Sequence, residues 1–147
     1  MPKPDYIIYA DGGARGNPGP AATGFVVFGA DGKKVAEAGE AIGETTNNVA
    51  EYRSVIAGLK KLKALIGGER AASAHVEARM DSELVVRQMN AEYKVKKEQL
   101  VPLFVDLWNR RQDFASVVFI HVPREENGEA DRLVNEALDS IQGGLSL

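Results

Sequence analysis

The sequence predicts a single α/β domain in which a five-stranded mixed sheet carries helices on both faces. The predicted elements follow the order βββ-α-β-α-α-β-α along 147 residues, a length that suits one domain. Asp31-Gly32 is a strong hairpin signal between the second and third strands, so the first three strands are expected to pair antiparallel. The later strand–helix–strand crossovers favour parallel pairing for the last two strands. We therefore expect three antiparallel strands followed by two parallel ones.

Short, largely apolar runs bounded by turn residues mark the strands. In chain order they are predicted at residues 5–11, 23–30, 33–42, 74–81 and 116–122. The segment 12–20 between the first two is rich in glycine and proline and is predicted as a tight loop. Asp11 and Asp81 close the first and fourth strands. Both are therefore expected at the strand carboxyl ends, where sites form in open α/β sheets.

Helical periodicity marks the remaining elements. The first helix opens at Thr45-Thr46-Asn47-Asn48, whose side chains can cap free N–H groups, and ends at Gly67-Gly68. Its apolar residues recur at helical spacing: Tyr52, Val55, Ile56, Leu59, Leu62 and Ile66. The other helices are predicted at residues 82–90, roughly 97–114 and 127–141. Residues 1–142 form the expected single domain, and residues 143–147 are expected to be a disordered tail.

Composition excludes several kinds of site. The chain has no cysteine and only two histidines, which rules out disulfides and disfavours a zinc site. No apolar run approaches the ~18 residues of a membrane span, and the start has no signal-peptide core. Cytoplasmic residence is therefore the default expectation. The net charge of −3 argues against strong overall attraction to nucleic acid, although a local basic patch is compatible with it.

Four acidic residues at element ends carry the first functional hypothesis. Two follow strands, and two stand near the starts of helices: Asp11, Asp81, Glu51 and Asp131. Converging carboxylates repel each other, so they add little to a fold by themselves. Hard divalent cations such as Mg²⁺ take oxygen ligands and cancel that repulsion. The pattern therefore predicts a metal-dependent site for phosphoryl transfer.

Four segments of the chain, in order and at suitable spacing, resemble the motifs of type 1 ribonuclease H. They are Tyr9-Ala10-Asp11-Gly12-Gly13-Ala14-Arg15-Gly16-Asn17-Pro18-Gly19-Pro20, Thr45-Thr46-Asn47-Asn48-Val49-Ala50-Glu51-Tyr52, Asp81-Ser82-Glu83-Leu84-Val85 and Glu126-Asn127-Gly128-Glu129-Ala130-Asp131. One such motif is a weak signal, and the four together are specific. The resemblance implies the ribonuclease H-like fold and an enzyme that cuts the RNA strand of RNA–DNA hybrids.

The resemblance also implies a catalytic arrangement. Two Mg²⁺ ions, or Mn²⁺ in their place, would lie between the carboxylates and the scissile phosphate. Asp11 would bridge both ions, Asp131 would help to hold the ion that activates water, and the remaining two carboxylates would hold the ion on the leaving-group side. Products would carry 5′-phosphate and 3′-hydroxyl ends. The preference for Mg²⁺ or Mn²⁺ is left open.

Selection of RNA requires contacts to 2′-hydroxyl groups. By resemblance, the candidates are the backbone of Gly12, Gly13 and Ala14 and the side chains of Asn17, Asn47 and Glu83. Thr46 resembles a contact to a DNA-strand phosphate, and Asn48 a contact to a base edge or sugar. The two helix-opening asparagines could instead be simple N-caps, and segment 12–20 could be only a turn.

The chain departs from many bacterial relatives at three places. Glu83 stands where many carry glutamine, so this side chain can accept but not donate a hydrogen bond. Arg124 replaces the histidine of a mobile loop, as in archaeal-like members, and is a candidate for product release or phosphate neutralisation; a solvated surface arginine is the alternative. The long basic protrusion is missing, and Lys94, Lys96 and Lys97 could serve as a reduced version.

Other interpretations of the sequence imply other functions. A non-catalytic hybrid- or RNA-binding module could use the same fold. Sugar-kinase-like ATPases also begin with an acidic strand end, but their two-domain fold needs more than 147 residues. We expect a monomer that binds RNA–DNA hybrid and no membrane. Some archaeal-like relatives also cut double-stranded RNA, and the sequence leaves that activity open.

Overall fold

Five strands form one mixed sheet at the centre of the protein, and the computed structural model describes residues 3–145. The strands are β1 (Tyr6–Ala14), β2 (Gly19–Gly29), β3 (Lys34–Thr45), β4 (His75–Met80) and β5 (Ser116–His121). They lie side by side in the order β3-β2-β1-β4-β5. β1, β2 and β3 pair antiparallel, whereas β1, β4 and β5 pair parallel. The predicted fold class is confirmed.

β1 and β2 are longer than the sequence pattern predicts. Gly12, Gly13 and Ala14 pair with β2 as regular strand residues, so the predicted loop 12–20 shrinks to residues 15–18. Strand pairing satisfies the backbone groups of these glycines, which in isolation are typical of a turn. Asp11 therefore lies inside β1, opposite Gly24. It is still the first residue beyond the last parallel pair of β1 and β4, and so it reaches the expected edge.

In the described part of the chain, five α-helices flank the sheet. They are α1 (Asn47–Ile66), α2 (Gly68–Ser73), α3 (Glu83–Met89), α4 (Val101–Arg111) and α5 (Gly128–Leu145). The sequence pattern missed α2, which has six residues and too few apolar positions for a periodic signal. Within residues 3–145, no helix is long and apolar enough to cross a membrane.

The carboxyl-terminal tail was predicted incorrectly. α5 continues beyond Ile141 and ends at Leu145, so residues 143–145 are helical rather than a disordered tail. Glycine lowers helix propensity by about 1 kcal/mol relative to alanine but does not forbid the helical conformation. Residues 146 and 147 of the predicted tail lie outside the described residues.

The two sheet faces carry different helices. The main core packs α1, α3 and α4 residues against inward side chains such as Ile8 and Phe25. On the opposite face α5 buries Val134 and Leu138 against Ala22 of β2. A β-carbon at Gly24 would meet the α5 backbone, so this glycine allows the helix to lie close to the sheet. The first turns of α1 and α5 are thereby held on either side of the β1 and β4 edge.

Candidate active site

The four predicted carboxylates line one cleft at the edge where the parallel strands end. Asp11 comes from β1, Asp81 follows β4, Glu51 comes from α1 and Asp131 from the first turn of α5. The cleft has a volume of about 540 Å³. Each carboxylate is supplied by a different element, so their convergence is a property of the tertiary fold and not of any local turn.

Asp11 is the most perturbed group of the cleft. Burial removes water from its carboxyl and is the largest cause that raises its pKa from 3.8 to about 8. The charges of Asp81 and Asp131 raise it further, and Asp131 also shares a side-chain hydrogen bond with it. Glu51 makes the smallest contribution. At neutral pH the cleft without cations therefore retains a proton that an exposed aspartate would release.

Glu51 is perturbed in the same direction. Burial again is the main cause that raises its pKa from 4.5 to about 7, and the charge of Asp81 adds to it. A hydrogen bond from the Ser82 side chain partly opposes this increase. The same Ser82 hydroxyl accepts the N–H of Val85 at 3.3 Å and caps α3. Ser82 thus connects the start of α3 to the cleft carboxylate on α1.

Asn127 is a positioning residue that the sequence reasoning missed. Its side chain is 1% exposed, and Nδ2 donates to the Ala10 carbonyl at 2.9 Å and to Asp81 Oδ1 at 3.0 Å. It therefore ties β1, the end of β4 and the approach to α5 together at the cleft. The only sequence signal for it is an asparagine that lies four residues before Asp131, inside the fourth motif.

The predicted substrate contacts at the start of α1 are partly used within the protein. Asn47 Oδ1 accepts the Ala14 N–H at 2.7 Å, and Asn17 Oδ1 accepts the Asn47 N–H at 3.1 Å. The N-cap is Thr46, whose hydroxyl accepts the Val49 N–H at 3.3 Å. These bonds fix segment 15–18 against α1. Because the amide oxygens are engaged, the NH₂ groups of the two asparagines are the parts that can face a substrate.

Gly12 lets β1 pass directly beneath α1. A β-carbon at this position would meet the backbone of Ala50 and Glu51, so no larger residue fits. The close approach brings Glu51 over the strand that carries Asp11. The sequence resemblance predicts the backbone of this glycine as a contact to RNA 2′-hydroxyls, and the structure shows that the protein's own helix α1 packs against it.

The cleft collects most, but not all, of the predicted site residues. Apart from the four carboxylates, its predicted lining residues are Gly12, Gly13, Ala14, Asn47, Asn48 and Arg124. Three predicted residues do not line it: Asn17, Thr46 and Glu83. Arg15 lines the cleft although the sequence reasoning gave it no role, and its guanidinium pairs with Asp139 at 2.7 Å. Arginine in a glycine-rich segment is common, so no local signal distinguished it.

The donor chemistry fits divalent cations that share their coordination with a substrate. Within residues 3–145, no group of three or more His, Cys, Asp or Glu side chains is placed to hold a single ion. Mg²⁺ typically takes only one or two carboxylates and completes its shell with phosphate oxygens and water. Four oxygen-donor groups in one cleft, with the pKa of Asp11 raised by burial and by its acidic neighbours, match that requirement.

Comparison with known proteins defines the family. A family model described as reverse transcriptase-like matches residues 9–137. The chain is 42% identical over 131 residues to ribonuclease HI of Halobacterium salinarum, covering 89% of this chain and 63% of that protein. It is 47% identical over 135 residues to a bifunctional protein of Mycobacterium tuberculosis, covering 91% of this chain and 35% of that protein.

Solved structures agree with this comparison. The structure of LC11-RNase H1 in complex with an RNA/DNA hybrid matches with 47% identity and a TM-score of 0.87, covering 93% of this chain and 99% of that chain. The chain belongs to the type 1 ribonuclease H family. It spans about a third of the length of the mycobacterial relative and under two thirds of the halobacterial one.

Proposed function

We propose that this protein is a metal-dependent endonuclease that hydrolyses the RNA strand of RNA–DNA hybrids. The observation that carries the proposal is the convergence of Asp11, Glu51, Asp81 and Asp131 from four separate elements into one cleft. Burial and the repulsion of the neighbouring carboxylates raise the pKa of Asp11, so this arrangement is costly without cations. Family membership and the hybrid bound to LC11-RNase H1 support the choice of substrate.

The four carboxylates would hold two Mg²⁺ ions, with Mn²⁺ as a substitute. When bound, the ions would supply Lewis-acid activation of water and stabilisation of charge on the leaving oxygen. The protein's contribution is to hold the oxygen donors apart in fixed directions. Asn127 holds Asp81 by its Nδ2 donor, and Ser82 holds Glu51 by its hydroxyl. Products would carry 5′-phosphate and 3′-hydroxyl ends.

Substrate orientation would come from the surroundings of the carboxylates. The pairs Asn17–Asn47 and Asn47–Ala14 fix the backbone of β1 next to the cleft, where it can meet ribose hydroxyls. Asn48 lines the same cleft. Arg124 begins the turn between β5 and α5 and lines the cleft, so its guanidinium can neutralise a backbone phosphate. It would not transfer protons near neutral pH, because arginine stays protonated.

A cleavage assay tests the proposal directly. Labelled RNA–DNA hybrid, double-stranded RNA and double-stranded DNA are offered separately to the wild type and to Asp11→Asn, with Mg²⁺, Mn²⁺ or EDTA. We expect metal-dependent cutting of the RNA strand in the hybrid and its loss in Asp11→Asn, and the double-stranded RNA arm decides whether that substrate is also cut. Hybrid binding without turnover in either metal would replace the proposal with a binding module. Cytoplasmic residence and a monomeric state stay predictions.

A further inference from the structure

An ion pair stands at the start of α3, two residues along the chain from Asp81 of the cleft. Glu83 is the first residue of α3, and its Oε1 accepts a hydrogen bond from Arg87 Nε at 2.7 Å. Both side chains are largely solvent-accessible, at 53% and 42% exposed. Four residues separate them along the helix, with the acid nearer the N-terminus, which is the favourable order. A pair this exposed contributes little to stability.

The guanidinium of Arg87 is held from a second side. The segment after α3 turns back at Ala91, which has a left-handed φ of 61°, and places Glu92 and Tyr93 beside it. Arg87 Nη1 donates to Glu92 Oε2 at 3.3 Å, and the guanidinium carbon lies 5.5 Å from the centroid of the Tyr93 ring. The Arg87 carbonyl also accepts the N–H groups of both residues, at 2.8 and 3.2 Å. The arginine is therefore restrained by the segment that follows α3.

The position of this pair gives it a consequence for substrate binding. Glu83 follows Ser82, which bonds to Glu51, and Asp81, which lines the cleft. A polyanion that is bound in the cleft and extends beyond Asp81 toward α3 would meet the exposed negative charge of Glu83. Like charges repel, so an uncompensated carboxylate there would weaken binding. A cation bonded to the same carboxylate offsets that repulsion and fixes the direction of its free oxygen.

We propose that Arg87 is a positioning residue that compensates the charge of Glu83, so that a carboxylate can serve as the hydrogen-bond acceptor for an RNA 2′-hydroxyl. The proposal rests on the proposed function, since it assigns a part of the same hybrid-binding surface. It also accounts for the acid at this position. A free oxygen of Glu83 can accept from a 2′-hydroxyl, which DNA lacks, while Arg87 occupies the other side of the carboxyl group.

A double-mutant cycle tests this assignment. Arg87→Ala, Glu83→Gln and the double variant are each measured for hybrid affinity by fluorescence anisotropy in a non-cleaving Asp11→Asn background, and for kcat and KM with Asp11 intact. Arg87→Lys keeps the charge and is the conservative rescue. Arg110→Ala is the matched control, because it removes an arginine from an i,i+4 pair with Asp106 at 2.9 Å on α4, away from the cleft.

We expect Arg87→Ala to weaken hybrid binding and raise KM by about fivefold at low salt while changing kcat by less than about twofold. The loss should shrink as salt rises, because exposed charges are screened. In the E83Q background the same substitution should change affinity by less than about twofold, because no carboxylate charge then needs compensation. Arg87→Lys should recover most of the loss, and Arg110→Ala should leave affinity unchanged.

Two results would overturn the assignment. An equal loss from Arg87→Ala in the Glu83 and E83Q backgrounds would show that Arg87 contacts the nucleic acid by itself or only supports the fold. Absence of hybrid binding by the Asp11→Asn protein would remove the surface on which the inference depends. Hybrid binding with the expected coupling but no cleavage by the wild type would instead refute the proposed function and leave the role of Arg87 intact.

Discussion

Replacing Asp11 by asparagine should stabilise the protein in the absence of metal while it abolishes activity. In the wild type the folded pKa of Asp11 is about 8, well above its ordinary value of 3.8. The folded state therefore keeps a proton that the unfolded chain releases, and the wild type loses stability as the pH rises from 3.8 to about 8. An asparagine has no proton to release. The stability difference between variant and wild type should therefore grow through this pH window and then level off.

The size of this effect follows from the same shift. Each pKa unit corresponds to about 1.4 kcal/mol, so a lone carboxyl with this shift would cost the fold roughly 6 kcal/mol at high pH. Asp11 shares a hydrogen bond with Asp131, and water in the open cleft screens the remaining charges. We therefore expect the substitution to recover about 1–2 kcal/mol near pH 8–9 and almost nothing near pH 4. For a chain of this length that is a rise in Tm of roughly 3–6 °C.

Thermal unfolding in EDTA from about pH 4 to pH 9 measures this difference. The matched control is Asp113→Asn, which removes an aspartate that pairs with Lys63 at 3.2 Å outside the cleft, and it should give no gain that grows with pH. Adding saturating Mg²⁺ should stabilise the wild type more than Asp11→Asn, because ions bind the folded state. A variant that is less stable than the wild type at high pH, or a difference that does not change with pH, would refute the reasoning.

Three further substitutions test the supports of the cleft. Asn127→Ala removes two hydrogen bonds of a buried amide, so it should lower the free energy of unfolding in denaturant by about 2–3 kcal/mol. It should also lower kcat, and an unchanged kcat would show that Asp81 needs no such support. Gly12→Ala should push α1 away from β1, lower the free energy of unfolding by about 2–3 kcal/mol and reduce activity. A Tm equal to that of the wild type would contradict the close approach of α1 to β1. Ser82→Ala should raise the pKa of Glu51 still further, as measured by an NMR titration of the metal-free protein, and a lowered pKa would contradict the assignment. Loss of the α3 cap should also lower the free energy of unfolding by about 1 kcal/mol.

The antiparallel and parallel pairing of the strands and the location of the cleft could be predicted because their signals are local. The Asp31-Gly32 turn identifies the antiparallel hairpin, and the apolar spacing of α1 identifies its buried face. The length of β1 could not be predicted in the same way. Gly12 and Gly13 favour a turn locally, but pairing with β2 makes them strand residues. Tertiary pairing outweighed local preference there, and so Asp11 lies within β1 rather than at its end.

The internal bonds of the site were beyond sequence reasoning for a related reason. An asparagine at the start of a helix is typical of an N-cap, yet Thr46 caps α1 and Asn47 instead bonds to Ala14, which lies 33 residues earlier. Asn127 bonds to Asp81 across 46 residues. Side chains of this kind satisfy local rules equally well in several arrangements. Only the packing of α1 and α5 against the same sheet edge selects the one observed.

The partners of the four carboxylates explain why cations are still required. Within the described residues, none of the four carboxylates forms an ion pair with lysine, arginine or histidine. The hydrogen-bond donors to Glu51 and Asp81 are the neutral side chains of Ser82 and Asn127. A fold that only needed stability would replace these carboxylates by uncharged side chains or pair them with basic ones, because a buried charge without a counter-charge is costly. Neutral donors fix the direction of the oxygens without cancelling their charge. The carboxylate oxygens are therefore held in fixed directions while their negative charge stays uncompensated. This is the condition under which divalent ions that arrive with a polyanion bind most favourably.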